Sequence, residues 1–215
     1  MLTSGCMQDR EVLYGRSLLF IGALQFVVFM AVVQIAFPCS SSSSCYSIFT
    51  NPISDLGNTS VSPFAMLFNY SIVLFGLLLI VGILYTRGAF RKSPVEDIGV
   101  ASLIVAALGA MGVGVVPENT VLAVHSMFAV IAFLFGGVGM LLIGINDLEQ
   151  KNGRLFSCYS IASGIVSIAL LLASVSGIIH GLAMSGPGFG FGAVERAIVA
   201  PIILWVFVVS LAKRS

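Results

Sequence analysis

Six ionisable side chains, Asp55, Glu118, His125, His180, Glu195 and Arg196, stand in a chain that otherwise has few charges. The 215 residues are 58% hydrophobic and 9% charged, against about 25% charged for a soluble globular chain, and mean hydropathy is +1.08. Two imidazoles, three carboxylates and one guanidinium suggest three chemistries. Two histidines with Glu118 or Asp55 could supply the three or four ligands of a metal hydrolase, although no HxxxH or HExxH spacing supports it. His125 and His180, expected at similar depth, could hold a b-type haem between them. In the third, Arg196 meets the phosphate of a lipid headgroup while His125 or Asp55 acts as general base, with no metal. This last option uses the most residues, but the cofactor stays open. Ser54 and Ser126 adjoin Asp55 and His125, yet neither sits in a nucleophile elbow.

The elements that must position these groups are read from the apolar runs. Six of them approach or reach the roughly 20 residues that cross about 30 Å of hydrocarbon as helix: Ser17–Phe37, Phe64–Thr86, Ile98–Val116, Val121–Ile145, Leu155–Ile179 and Ala193–Ala212. Runs this long lack the period-two alternation of a barrel, and lipid leaves no other way to satisfy backbone N–H and C=O groups. The fold class is all-α: a single transmembrane domain over residues 1–215, built as a six-helix bundle. The first run reads as a retained span rather than a cleaved leader, and no lipidation signal is seen. With no basic stripe to neutralise phosphates, nucleic acid is not an expected partner; membrane lipid is.

Orientation follows from the positive charges. Arg10, Arg16, Arg87, Arg91, Lys92, Lys151, Arg154, Lys213 and Arg214 fall on one side and Arg196 alone on the other. Positively charged short loops stay cytoplasmic, so both termini are expected inside a cell membrane crossed six times. The outer connections are then Pro38–Pro63, Pro117–Thr120 and the glycine-rich Gly181–Gly192, and they carry the isolated acids. The inner connections read as ordinary charged turns, and the inner half of the bundle is expected to be apolar. Ionisable groups at the membrane usually face the bundle interior or a wet cavity, so those converging on the outer end are functional candidates. The competing reading is structural, with Asp55 and Arg196 tying the first loop to the last helix.

Cys39 and Cys45 bracket a serine-rich stretch on the oxidising side and are expected to form a disulfide, while Cys6 and Cys158 read as unpaired. Asn58-Thr-Ser is a glycosylation sequon on the outer face. Ser62 is expected to cap the second helix with Pro63 at its first position. Asn69, two turns further on, needs a partner, and the NPISDLG backbone is the favoured one. Ser102, Ala106, Ala110 and Gly114 form a small-residue seam that suggests a central third helix. The glycine-rich connection reads either as a flexible linker or as backbone that approaches something closely.

The run PISDLGN, the following FNYSIVLFG and YTRGAF, the later VxAVH at the start of a span, and GAVER resemble the prokaryotic membrane family called domain of unknown function 998. They also look like the eukaryotic Frag/DRAM/Sfk six-span group. The matching positions are Ser54, Asp55, Gly57, Asn69, His125, Glu195 and Arg196. The eukaryotic group's involvement in lipid-anchor remodelling, phosphoinositide signalling and autophagy implies a lipid-directed role. The expected function is an outward-facing intramembrane site that binds or modifies a lipid or lipid-linked headgroup. Asp55 and His125 are its candidate catalytic residues, and Ser54, Asn69, Glu118, His180, Glu195 and Arg196 its candidate binding residues. The alternatives are a non-enzymatic scaffold and a bis-histidine haem protein. The Cys39–Cys45 insert departs from the family pattern.

Overall fold

The computed structural model describes residues 2–39, 45–89, 93–150, 153–177 and 190–211, without the side chains of 2–8 and 89. Among them every regular element is helical: α1 (Leu2–Ile35), α2 (Ala65–Thr86), α3 (Pro94–Val115), α4 (Leu122–Glu149), α5 (Arg154–Val175) and α6 (Phe191–Leu211), with 3₁₀ turns at Ser54–Gly57 and Arg87–Ala89. Each long helix holds a stretch long and apolar enough to cross a membrane. Short connections make neighbours antiparallel, so both termini lie at one end of the bundle and the long first connection at the other.

Several boundaries differ from the sequence reading for local reasons. Helix α1 starts fifteen residues earlier, since its polar N-terminal stretch continues the helix beyond the apolar run. Helix α3 starts at Pro94 because Ser93 is its N-cap, its Oγ accepting from the Glu96 N–H at 3.1 Å, with proline in the first turn. Helix α4 runs on to Glu149, and α5 follows Gly153, whose φ of 67° lies in the left-handed region. The expected Ser62 cap is not made: Phe64 is the N-cap of α2 and the buried Ser62 hydroxyl has no partner among the described residues.

The helices close into a ring in chain order, α1 to α6, with α6 packing on both α5 and α1 and touching α4 only lightly. Helix α3 is accordingly a member of the ring between α2 and α4 rather than its centre. Its small residues serve two ends: Gly114 packs on Asn69 and Ile72 of α2, while Ala106 and Ala110 line the ring's axis. Without a hydrophobic drive between helices in lipid, close approach and interhelical hydrogen bonds must hold them. A Cβ on Gly164 would sit 2.7 Å from the Gly137 carbonyl oxygen, so glycine lets α4 and α5 meet backbone to backbone. Trp205 Nε1 donates to Ser160 Oγ at 2.8 Å and Ser167 Oγ to the Ile198 carbonyl at 3.2 Å, joining α5 to α6. Arg16 Nε donates to the Ser210 carbonyl at 2.9 Å, joining α1 to α6. Phe26 stacks on Phe75 at 5.4 Å between α1 and α2.

Candidate functional site

The first connection folds back over the end of the ring. Cys39 and Cys45 are disulfide-bonded, with Cα atoms 4.3 Å apart; the serines between them lie outside the described residues. Beyond the bridge, Tyr46 donates to the Pro52 carbonyl at 2.9 Å, and the Asn51 side chain accepts from Ser47 N–H at 3.0 Å while donating to Asp55 Oδ2 at 2.9 Å. These bonds make a compact turn whose tip, Ile53 and Leu56, is buried on the ring axis. Asn69 Nδ2 donates to the Gly57 carbonyl at 2.9 Å, the backbone partner expected for it.

Two elements fasten this turn. Glu195 Oε2 accepts from the Ile53 N–H at 2.5 Å. Arg196 donates through one nitrogen to the Asn51 and Gly192 carbonyls at 2.8 and 3.1 Å, and through the other to Gln34 Oε1 and Tyr46 Oη at 3.2 and 2.6 Å. Its guanidinium also lies 5.6 Å from the Tyr46 ring centroid. With four N–H bonds committed to protein acceptors, Arg196 acts here as a clasp on the loop. The glycine-rich connection has the second of its expected characters at its described end. Gly190 N–H donates to the Phe49 carbonyl at 3.0 Å, and a Cβ at Gly192 would collide with Asn51.

The second connection laces onto the first. Asn58 Nδ2 donates to Glu118 Oε1 at 3.0 Å, and the Asn119 side chain donates to Thr59 and Ser60 hydroxyls at 2.9 and 3.1 Å. The sequon nitrogen of Asn58 is thus engaged in a structural bond. The Asp55 carboxyl lies beside that of Glu118. Burial pushes the Asp55 carboxyl above the usual carboxylate range; Glu118 adds to this, while Asn51 and Arg196 oppose it.

His125, in the first turn of α4, is 7% exposed. Its Nδ1 lies 2.7 Å from the Val116 carbonyl oxygen, which can only accept, so Nδ1 carries a proton and the lone pair of a neutral ring falls on Nε2. Among the described residues Nε2 has no hydrogen-bond partner. Two spaces meet at this ring. A cavity of ≈ 90 Å³ occupies the bundle axis, walled by Phe68, Phe75, Ala106 and Val199. A groove of ≈ 350 Å³ runs between α4, α5 and α6, where α4 and α6 barely touch, and holds Glu118 and Ser126. Ser54, His125 and Glu195 line both.

The expected site residues are therefore sorted by the fold. Ser54, Glu118, His125 and Glu195 share the groove, and Asp55 joins them through Glu118. Arg196 faces a second, apolar groove of ≈ 280 Å³ between α1 and α6. Asn69 lies under the turn, and His180 lies outside the described residues. No three histidine, cysteine, aspartate or glutamate side chains among the described residues are placed to hold a metal ion. Gln34, Tyr46 and Asn51 were not singled out from sequence. A glutamine ending an apolar span and the asparagine opening the NPISDLG run were the available signals for two of them.

The expectation of an apolar inner half fails. At the end that holds the termini, Glu96 is fully buried and accepts from Asn146 Nδ2. Asn146 Oδ1 in turn accepts from Ser93 Oγ at 2.7 Å and Gln150 Nε2 at 2.8 Å, with Asp147 and Ser157 buried as well. Cys158 is a free, exposed thiol, and the Cys6 side chain lies outside the described residues.

No curated protein and no solved structure matches the chain. A match to the sequence profile of one family, described as Protein of unknown function (DUF998), runs over residues 20–212, from within α1 to just past the end of α6. This six-span membrane protein belongs to that family.

Proposed function

We propose that the chain binds or modifies a lipid or lipid-linked headgroup drawn from the outer leaflet of the cell membrane into the groove between α4, α5 and α6. The observation that carries this reading is that Ser54, His125 and Glu195 line both the lateral groove and the axial cavity, so a molecule entering from the side meets the buried polar groups directly. A volume of ≈ 350 Å³ falls within the range of small-ligand sites. The rim is apolar and open, with Leu122, Val175 and Phe191 exposed, as suits an entry facing acyl chains. The one-sided distribution of lysine and arginine supports an outward-facing reading of this end, and the sequence resemblance to the Frag/DRAM/Sfk group supports a lipid as its ligand. His125 is the candidate base: its ring is held through Nδ1, leaving Nε2 for a substrate proton. Asp55 lies behind it, beside Glu118.

Protein purified in mild detergent and analysed by native mass spectrometry tests this. We expect a retained lipid that is lost in Ala129→Phe, which fills the wall common to cavity and groove, with the melting temperature preserved. A second reading, a ligand-free scaffold, is favoured by the bonds that Glu195 and Arg196 spend on the first connection. Lipid absent from the wild type, and an Ala129→Phe protein indistinguishable from it, would establish the scaffold instead.

A further inference from the structure

The groove is rich in acceptors, and no lysine or arginine is among the described residues that line it. Glu118 and Glu195 stand on its wall, Asp55 backs Glu118, and the buried His125 keeps Nε2 without a partner among the described residues. Ser54 and Ser126 add hydroxyls that both donate and accept. The sequence places one arginine and no lysine on this side. That arginine, Arg196, commits its two terminal nitrogens to Asn51, Gly192, Gln34 and Tyr46 and borders the other groove.

A phosphate seated here would face the Glu118 and Glu195 carboxyls with no lysine or arginine among the described residues of the wall. A primary ammonium has the opposite needs: three N–H donors and no acceptor. Glu118, Glu195 and Nε2 of His125 offer three acceptors on one surface. Glu118 Oε1 also takes the Asn58 amide, and Glu195 the backbone N–H groups of Ile53 and Ser54, so an ammonium would meet carboxyls already held in place. A quaternary ammonium could make no such hydrogen bonds and depends on aromatic faces instead.

We infer that the headgroup taken by this groove carries a primary amine, recognised by Glu118, Glu195 and His125, and that the site selects against anionic headgroups. This rests on the lipid-groove reading above, and the test separates the two. Purified wild-type protein is titrated with dihexanoyl phosphatidylethanolamine, phosphatidylglycerol and phosphatidylcholine, and with free ethanolamine, following Kd. The expected result is phosphatidylethanolamine bound about tenfold or more tighter than the other two lipids, the scale of one charge-assisted hydrogen bond. Glu118→Gln and Glu195→Gln, which keep an acceptor for Asn58 and Ile53, should each erase about that preference. If either variant fails to fold, the wild-type ranking decides alone. Phosphatidylglycerol or phosphatidylcholine bound as tightly overturns the amine assignment and leaves the lipid groove standing. Ethanolamine bound while no lipid binds removes the lipid reading and keeps the amine assignment. No binding by any of the four overturns both.

Discussion

The two ends of the bundle each gather carboxylates and amides, and they use them in opposite ways. At the end holding the termini, Glu96, Asn146, Ser93 and Gln150 bond to one another, and none of the three spaces described above reaches them. At the other end Glu118, His125 and Glu195 line a groove, the last two a cavity as well, and one His125 nitrogen has no partner among the described residues. Buried polar groups satisfied by each other specify a packing; buried polar groups facing an accessible space have capacity left for a ligand. Buried polarity alone therefore does not mark a site, whereas buried polarity beside a volume does.

The comparison breaks most readily at Glu96. Glu96→Ala leaves the Asn146 amide without its acceptor, and we expect a loss of about 3 kcal/mol of stability, read as a lowered melting temperature, with lipid retention unchanged in the surviving folded protein. Lipid loss out of proportion to unfolding would show that the two ends are not separate in role.

Next in size is Arg196. Arg196→Met keeps the stem but removes the clasp on Asn51, Gln34 and Tyr46, and we expect about 2 kcal/mol of destabilisation. Proteolysis should then cut first in the first connection. Arg196→Lys should recover only part of it, since an ammonium cannot span the same acceptors with a planar fork. Full rescue by lysine would mean that charge, not hydrogen-bond geometry, fastens the loop.

The smallest expected effect sharpens the first-loop end. Asp55 titrates above an ordinary carboxyl because it is buried and beside Glu118. A carboxyl raised on folding contributes stability that is complete below its unfolded value and is lost as pH rises through its folded value. The melting temperature should therefore rise as the buffer is taken from neutral toward acid. Asp55→Asn should flatten that slope, and a slope unchanged in the variant would assign it elsewhere.

Much of this architecture was legible in the sequence because hydrocarbon enforces it. Six spans, their antiparallel order and the Asn69 bond to the NPISDLG backbone follow from run length and from the cost of an unpaired amide. The Cys39–Cys45 bridge was readable from spacing and side. What was missed lay at helix ends. Ser93-Pro-Val-Glu96 is a capping box followed by an apolar run, a signal that α3 begins at Pro94 rather than Ile98 and carries Glu96 inward. Read as a charged turn, it hid the second polar cluster. Arg196 stays open between headgroup contact and loop tie for another reason: sequence shows that a guanidinium is present, but not that loop carbonyls have already taken its donors.

The groove itself is tested most directly by photolabelling. A diacyl lipid with a photoreactive group beside its glycerol backbone is irradiated in membranes containing the protein, and the labelled residues are mapped by mass spectrometry. The account expects label concentrated on Leu122, Ser126, Val175 and Phe191 at the groove mouth and depleted there in Ala129→Phe. Label spread evenly over exposed positions around the bundle, such as Leu77, Leu108 and Leu204, and unaffected by Ala129→Phe, would contradict it.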